Sequence, residues 1–131
     1  MILIDTHVLV WWLTGAPGLS TAAQRAIAEN SGAGEIVVSA ISLLEIATAV
    51  RRGRLQFSVP LEQWLADMRS LPELRVEPVS AEIAALAGSL PDPMHGDPAD
   101  RLIAATASVL GIPLVTGDEK LREYREIETI W

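Results

Sequence analysis

Short runs of branched apolar residues without a polar face set the fold of this chain. Ile2-Leu3-Ile4 and Ile36-Val37-Val38 have no polar position, as is typical of strands whose sheet is covered on both faces. These runs alternate with segments of helical periodicity, in the order strand, helix, helix three times over, followed by strand, helix, strand. The pattern predicts an α/β fold, a three-layer sandwich with a mostly parallel central sheet.

The turn and capping signals place the boundaries of the predicted elements. The predicted strands are 2–4, 36–39, 74–79, 112–115 and 127–131, and the predicted helices are 7–13, 21–30, 41–52, 60–68, 81–90, 98–110 and 119–124. Because Pro78 cannot donate a ladder hydrogen bond, the strand that contains it belongs at an edge of the sheet. Two adjacent residues, Trp11 and Trp12, cannot share one face of the first helix, so one of them is expected near a surface or an interface. The alternative is that both rings pack inside a small core.

Length and composition are those of one domain, covering residues 1–131. Half of the 131 residues are hydrophobic and the mean hydropathy is +0.30, which is enough for a substantial core. No apolar run approaches the ~18 residues of a spanning helix, and the first residues lack the basic segment of a signal peptide. We therefore expect a cytoplasmic protein without a membrane partner.

The net charge of −7 argues against a broad electrostatic grip on nucleic acid. The net charge still allows a local contact with nucleic acid, because Arg51, Arg52 and Arg54 cluster at the end of one predicted helix. Such a cluster either complements the helix dipole in solvent or contacts phosphate.

Two carboxylates stand at the start of the predicted helix 98–110. Asp97 suits the N-cap, Pro98 suits the first helical position, and Asp100 falls at N3, where the helix dipole favours negative charge. Capping alone explains an isolated motif of this kind, so other acids must decide whether the stretch has a function.

Three further acids are expected at the same edge of the sheet. Asp5 and Asp118 follow predicted strands, and Glu45 stands one turn into the helix after the second strand. Ligands of open parallel sheets bind beyond the carboxyl ends of the strands. Two carboxylates ~4 Å apart repel by roughly 4 kcal/mol, whereas a helix dipole returns about 0.3–1 kcal/mol per charge. A converging set therefore requires a cation. Against this, Ser42 and Glu45 also match a capping box if their helix begins at Ser42.

The residue types favour a hard cation in this cluster. The chain has no Cys and two His, so carboxylates, hydroxyls and water would bind Mg²⁺ or Mn²⁺, and a zinc site on His7 and His95 is the weaker alternative. A divalent ion held by acids suits phosphodiester hydrolysis. No Gly-rich phosphate loop is present, which disfavours a nucleotide hydrolase.

Four motifs follow one another along the chain: Ile4-Asp5-Thr6-His7, Ser42-Leu43-Leu44-Glu45-Ile46, the run from His95 to Ala107, and Leu114-Val115-Thr116-Gly117-Asp118. In these motifs, their order and their spacing, the chain resembles the PIN-domain ribonucleases, specifically VapC-type toxins of toxin-antitoxin pairs. The resemblance covers essentially the whole chain. It implies a single PIN-like domain that acts as a homodimeric endoribonuclease dependent on Mg²⁺ or Mn²⁺, with RNA as substrate and a cognate antitoxin whose tail covers the site.

The resemblance also implies roles for individual residues. It implies that the metal-binding acids are Asp5, Glu45, Asp100 and Asp118. It also implies that the hydroxyls near the metal or the scissile phosphate are those of Thr6 and Thr116. Asp97 is expected to be a cap beside the metal acids. Arg101 is expected to pair with a carboxylate or, less readily, to touch the substrate. Ala99 stands where the family often has an aromatic residue, which should affect packing or substrate approach.

Two other functional classes remain open at this stage. A receiver-like signalling module also uses an acidic Mg²⁺ pocket with a Thr and a Lys, for which Thr116 and Lys120 would serve. In such modules the phosphorylated Asp ends the middle strand, whereas Val38 is followed here by Ser39. The third reading is a catalytically inactive binding protein.

Overall fold

A computed structural model describes residues 1–91 and 97–131 of the chain. The strands are β1 (Ile2–Ile4), β2 (Ile36–Ser39), β3 (Leu74–Glu77), β4 (Leu114–Val115) and β5 (Thr129–Ile130). The helices are α1 (Thr6–Thr14), α2 (Thr21–Glu29), α3 (Ala40–Arg51), α4 (Leu61–Arg69), α5 (Ala81–Ser89), α6 (Pro98–Leu110) and α7 (Glu119–Glu123). The predicted order of elements is confirmed, and the last three strands are shorter than predicted.

The five described strands form one sheet in the order β3-β2-β1-β4-β5, and every pairing is parallel. The prediction of a mostly parallel sheet is thus confirmed, and β3, which Pro78 follows, is at an edge as predicted. Ile4 is in register with Val38 and with Val115. The ends of the three central strands are therefore level, so the residues that follow them share one edge.

Helices cover both faces of the sheet, so helices, sheet and helices form the predicted three-layer sandwich. On one face, Ile2 and Ile4 belong to a buried cluster with residues of α1, α2 and α4. On the other face, Leu3 packs in a cluster with Ile103 of α6 and Leu121 of α7. Successive strand residues point to opposite faces, which is why an apolar run without a polar face fits here.

Capping residues fix where α6 begins and ends. The Asp97 side chain accepts a hydrogen bond from the Ala99 N–H at 3.0 Å, Pro98 opens the helix, and Asp100 is at N3, as predicted. Gly111 ends the helix in the left-handed region at φ 64°, a conformation that costs glycine little. The position of Asp100 is thus determined by local sequence.

The capping-box alternative for Ser42 and Glu45, which needs α3 to begin at Ser42, is wrong. The helix begins at Ala40, and the Ser39 hydroxyl caps it by accepting a hydrogen bond from the Ile41 N–H at 3.2 Å. Ser39 also closes β2, so strand and helix join without a loop. Ser42 and Glu45 are therefore inside the helix, where Glu45 is not needed as a capping residue.

Among the described residues, no helix has both the length and the apolar character needed to cross a membrane. The longest of them, α6, has 13 residues.

Candidate functional site

The site is centred on a crevice between the ends of β1 and β4. The chain leads from β1 to β2 on one side, whereas β4 pairs with β1 on the other side. Such a reversal of strand order opens a crevice at the carboxyl edge, where ligands of open α/β sheets bind. Asp5 directly follows β1 and Thr116 directly follows β4, so both predicted residues lie at this reversal.

Asp5 is buried, and each of its carboxylate oxygens accepts a hydrogen bond. Oδ1 accepts from the Val8 N–H at 2.8 Å, which caps α1, and Oδ2 accepts from the Thr116 hydroxyl. Burial raises the pKa of Asp5, while these two bonds act in the opposite direction. The bonds fix the carboxylate's orientation toward the crevice edge.

Thr116 joins Asp5 to Asp118, the next acid along the edge. Its Oγ1 accepts a hydrogen bond from the Asp118 N–H at 3.0 Å, and its O–H donates a hydrogen bond to Asp5 Oδ2. Asp118 in turn caps α7, because its Oδ1 accepts from the N–H groups of Lys120 and Leu121. The predicted grouping of Asp5, Thr116 and Asp118 thus has a direct hydrogen-bonded basis.

Glu45 and Thr6 form a second pair on the opposite side of Asp5. The Thr6 hydroxyl lies 2.5 Å from Glu45 Oε1 and 2.8 Å from the Ser42 Oγ. Because a hydroxyl has one hydrogen and a carboxylate is the stronger acceptor, Thr6 donates to Glu45 and Ser42 donates to Thr6. Burial raises the pKa of Glu45. Ser42 is buried and was missed as a site residue, since its spacing to Glu45 suggested a cap.

The effect of the acids on one another is clearest in the pKa of Asp100. Its pKa is raised to about 7, first by burial and then by neighbouring carboxylates. Those carboxylates, in order of effect, belong to Asp97, Asp118, Glu45 and Asp5. The acids contributed by β1, α3, α6 and the start of α7 therefore share one field, as the sequence predicted.

The donor set fits a hard divalent cation, although the acids do not enclose one. Within residues 1–91 and 97–131, no three His, Asp or Glu side chains are arranged so as to hold a metal ion. The acids thus face one another across the crevice without forming a closed cage. Their oxygens, with the Thr6 and Thr116 hydroxyls, are ligands and neighbours typical of Mg²⁺ or Mn²⁺ sites. The zinc alternative needs His95, which lies outside the described residues.

Arg101 ties α6 to the preceding helix. Its Nε donates to the Ala87 carbonyl at 2.9 Å, and its Nη2 donates to the Leu90 carbonyl at 2.5 Å. Both carbonyls belong to the end of α5, so Arg101 is a positioning residue for the start of α6. Its pairing with a carboxylate or with substrate stays a prediction.

The strand order contradicts the receiver-like alternative. Receiver modules have the order 2-1-3-4-5, whereas this sheet has β3-β2-β1-β4-β5. The middle strand is β1 and not β2, so the Ser39 that ends β2 does not argue against a receiver, and an acid, Asp5, does follow the middle strand. The acidic crevice is therefore common to two folds, and the order of strands separates them.

Replacing Thr116 by valine tests the link between Asp5 and Asp118. The substitution keeps the shape of this fully buried side chain but removes both hydrogen bonds. Leaving Asp5 without its hydroxyl donor should lower the free energy of unfolding by about 1–3 kcal/mol. Urea unfolding measures this loss, with Thr116→Ser as the control that keeps the hydroxyl. A valine variant as stable as the serine variant would refute the link.

Gly117 is required because the Trp131 ring packs on it. A Cβ at this position would lie 2.8 Å from Trp131 Cε2. Gly117→Ala should cost about 1–3 kcal/mol of stability, since either the ring or the turn that carries Asp118 must move. In a variant that also carries Trp131→Leu, the loss should be less than the sum of the two single losses.

Gly88→Ala is the matched control for this prediction. Gly88 is inside α5 and a Cβ there would meet nothing within 4 Å, so alanine should stabilise the helix slightly. Thermal unfolding of the four variants measures the effects. Equal melting temperatures for Gly117→Ala and the unsubstituted protein would contradict the packing argument.

Comparison with known proteins agrees with the fold and with the predicted family. The family model described as PIN domain matches residues 2–127. Ribonuclease VapC22 of Mycobacterium tuberculosis is 39% identical over 132 residues, which cover 99% of this chain and 98% of the relative.

Solved structures with the same fold include VapBC proteins bound to DNA. A chain of VapBC from Salmonella typhimurium, solved bound to DNA, has a TM-score of 0.71 at 18% identity and covers 98% of this chain and 95% of its own. A chain of VapBC2 from Rickettsia felis, bound to a DNA fragment from its promoter, has a TM-score of 0.68 at 22% identity, covering 98% and 97%. With the family model matched over nearly its whole length, this chain belongs to the PIN-domain family, in its VapC branch.

Proposed function

We propose that this protein is an endoribonuclease that hydrolyses phosphodiester bonds in RNA with Mg²⁺ or Mn²⁺ and acts as the toxin of a toxin-antitoxin pair. The observation that carries the proposal is the position of Asp100 among the other acids, where burial and then the neighbouring carboxylates raise its pKa to about 7. The similarity to a relative named as a ribonuclease supports the same activity.

In this proposal Asp5, Glu45, Asp100 and Asp118 hold the ion. When bound, the ion lowers the pKa of a water and neutralises charge that grows on the phosphate. The protein's part is to aim the carboxylates, as hydrogen-bonded neighbours of ligands do in metal sites. Thr116 donates to Asp5 Oδ2 and Thr6 donates to Glu45 Oε1, so one hydroxyl orients one acid on each side of the crevice.

The raised pKa of Asp100 explains why the ion would be needed at neutral pH. A pKa of about 7 means that a proton is held on roughly half of the molecules at that pH when no cation is present. A divalent cation supplies the positive charge that the proton otherwise supplies. Asp97 has a different part, since its Oδ1 is engaged as the cap of α6.

A cleavage assay tests the activity directly. Purified protein should shorten RNA in the presence of Mg²⁺ or Mn²⁺, and excess EDTA should leave the RNA intact. The inactive-binding alternative predicts intact RNA under all three conditions. Fragments that appear equally with EDTA would instead contradict the metal requirement.

The proposed partner is an antitoxin whose tail covers the crevice. The solved relatives include VapBC2 and VapBC complexes, whose fold this chain shares. We also propose a homodimer, and a cytoplasmic location because that is where cellular RNA is found. Light scattering on purified protein measures the assembly, and a mass of one chain would contradict the dimer. Cleavage that persists in the purified complex would contradict inhibition by the antitoxin.

A further inference from the structure

A groove between α1 and α3 opens beside the acidic crevice. It has a cavity volume of about 690 Å³. One wall is formed by His7, Val10 and Trp11, which are three and four residues apart and so share a face of α1. The other wall includes Leu44 of α3, whose side chain is 60% exposed. The groove thus places exposed apolar and aromatic side chains next to the proposed cleavage site.

The two ends of the groove have opposite charge. Glu45 and Asp97 line one end, and Arg52 and Arg54 line the other. Glu45 of α3 and its C-cap Arg52 are seven positions apart, which is ~10 Å at 1.5 Å per residue. Arg51, the third member of the basic cluster, does not line the groove. In a chain with a net charge of −7, the two arginines mark one place where an anionic group would be attracted.

The aromatic wall is held in place from behind. The Trp11 ring lies 6.1 Å from the Trp131 ring, and a Cβ on Gly18 would come within 2.5 Å of Trp11 Cδ2. The His7 ring is 5.7 Å from the Trp11 ring and is exposed. His7 is also close enough to Asp5 and Glu45 to act on their carboxylates electrostatically. A ring stacked on His7 would therefore lie beside the acids.

We infer that this groove binds the single-stranded RNA next to the cleaved bond, an inference that rests on the proposed ribonuclease activity. A base stacks on the rings of His7 and Trp11 opposite Leu44, and Arg52 and Arg54 bind backbone phosphates farther along the strand. RNA fits because it combines flat apolar bases with anionic links, as the groove combines apolar walls with a basic end. A base within a duplex has no free face for such stacking, so duplex RNA is excluded.

Binding by the metal-free protein tests this inference without cleavage. The probes are a short mixed-sequence single-stranded RNA, a ribose-phosphate oligomer of equal length without bases, and a duplex of the same sequence. The protein should bind the single-stranded RNA tightest. His7→Ala should weaken that binding about 5-fold or more and leave binding of the base-free oligomer unchanged, whereas His7→Phe should retain it.

The arginines are tested through the salt dependence of the same binding. Replacing Arg52 and Arg54 together by alanine should lower the slope of log affinity against log salt by about 1.4, at ~0.7 for each single-strand phosphate contact. Arg51→Ala is the matched control, since Arg51 is exposed but outside the groove, and it should leave the slope unchanged.

Separate outcomes distinguish this inference from the proposed function. Equal affinity for base-carrying and base-free oligomers, or equal losses from Arg51→Ala and from the double variant, would overturn the groove even if the protein cleaves RNA. Intact RNA with Mg²⁺ or Mn²⁺ would overturn the ribonuclease, whatever the groove binds. Melting temperatures of the variants confirm that each one folds.

Discussion

Asp100→Asn is expected to abolish RNA cleavage while leaving the protein folded. Asparagine has nearly the same shape, but it removes the charge on which the other acids converge. Since losing a residue that only supports a metal ligand costs about 10–100-fold in metal affinity or activity, loss of a ligand should cost at least about 100-fold. Without a cation, the asparagine variant should be as stable as the unsubstituted protein or more so, because one repelling charge has gone.

The matched control is Glu82→Gln, in the first turn of α5. Like Asp100, Glu82 is an acid in the first turn of a helix, but it is exposed and belongs to an element outside the crevice. Cleavage rates of the two variants on the same RNA, with urea unfolding of both, provide the comparison. Undiminished cleavage by the Asp100 variant would remove Asp100 from the site.

Divalent metal is expected to reverse the dependence of stability on pH. Without metal, the raised pKa values of Asp5, Glu45 and Asp100 mean that the folded protein binds more protons than the unfolded chain. For Asp100 the folded pKa is about 7 against 3.8 for the ordinary carboxyl. Protonation of these groups therefore stabilises the fold fully below about pH 4, and this contribution is lost as pH rises through 7. The melting temperature should fall between pH 5 and pH 8.

With Mn²⁺ at 100 times its dissociation constant, the free energy of unfolding should increase by ~2.7 kcal/mol if the ion binds only the folded state. For a chain of this size that is roughly 10 °C in melting temperature. The increase should be largest near pH 8 and smaller near pH 5, where protons compete for the carboxylates.

Thermal unfolding at several pH values, with Mn²⁺ and with EDTA, measures both trends. The Asp100→Asn variant is the control, because it should lose most of the metal effect and part of the slope with pH. Curves that coincide with and without metal would mean that the acids form no metal site.

The order of elements could be predicted from sequence because each element carries its own signal. Buried strands show as apolar runs, and Ser80 and Asp97 mark helix starts with side chains that do cap. The start of α3 could not be fixed this way, since Ser39 and Ser42 are both competent caps. Only the direct passage from β2 into α3, with no loop between them, decides for Ser39.

The site was predictable as a set of positions but not as a set of contacts. Asp5 and Thr116 follow strands, and any parallel sheet brings such positions to one edge. The bond between Thr6 and Ser42, 36 residues apart, depends on how α1 and α3 are rotated about their axes. The same rotation puts Arg52 in the groove and leaves Arg51 outside, a distinction that spacing along the chain cannot supply.

The clamp that Arg101 makes on α5 has a consequence for how this protein can change over evolution. Its bonds to the Ala87 and Leu90 carbonyls join the end of α5 to the start of α6 through one side chain. The register of Asp100 is thus set by the clamp together with the Asp97 cap. Because the arginine that binds these carbonyls directly follows Asp100 in the chain, a substitution at position 101 would loosen the helix start that carries the carboxylate, so lineages that keep the site should keep an arginine there.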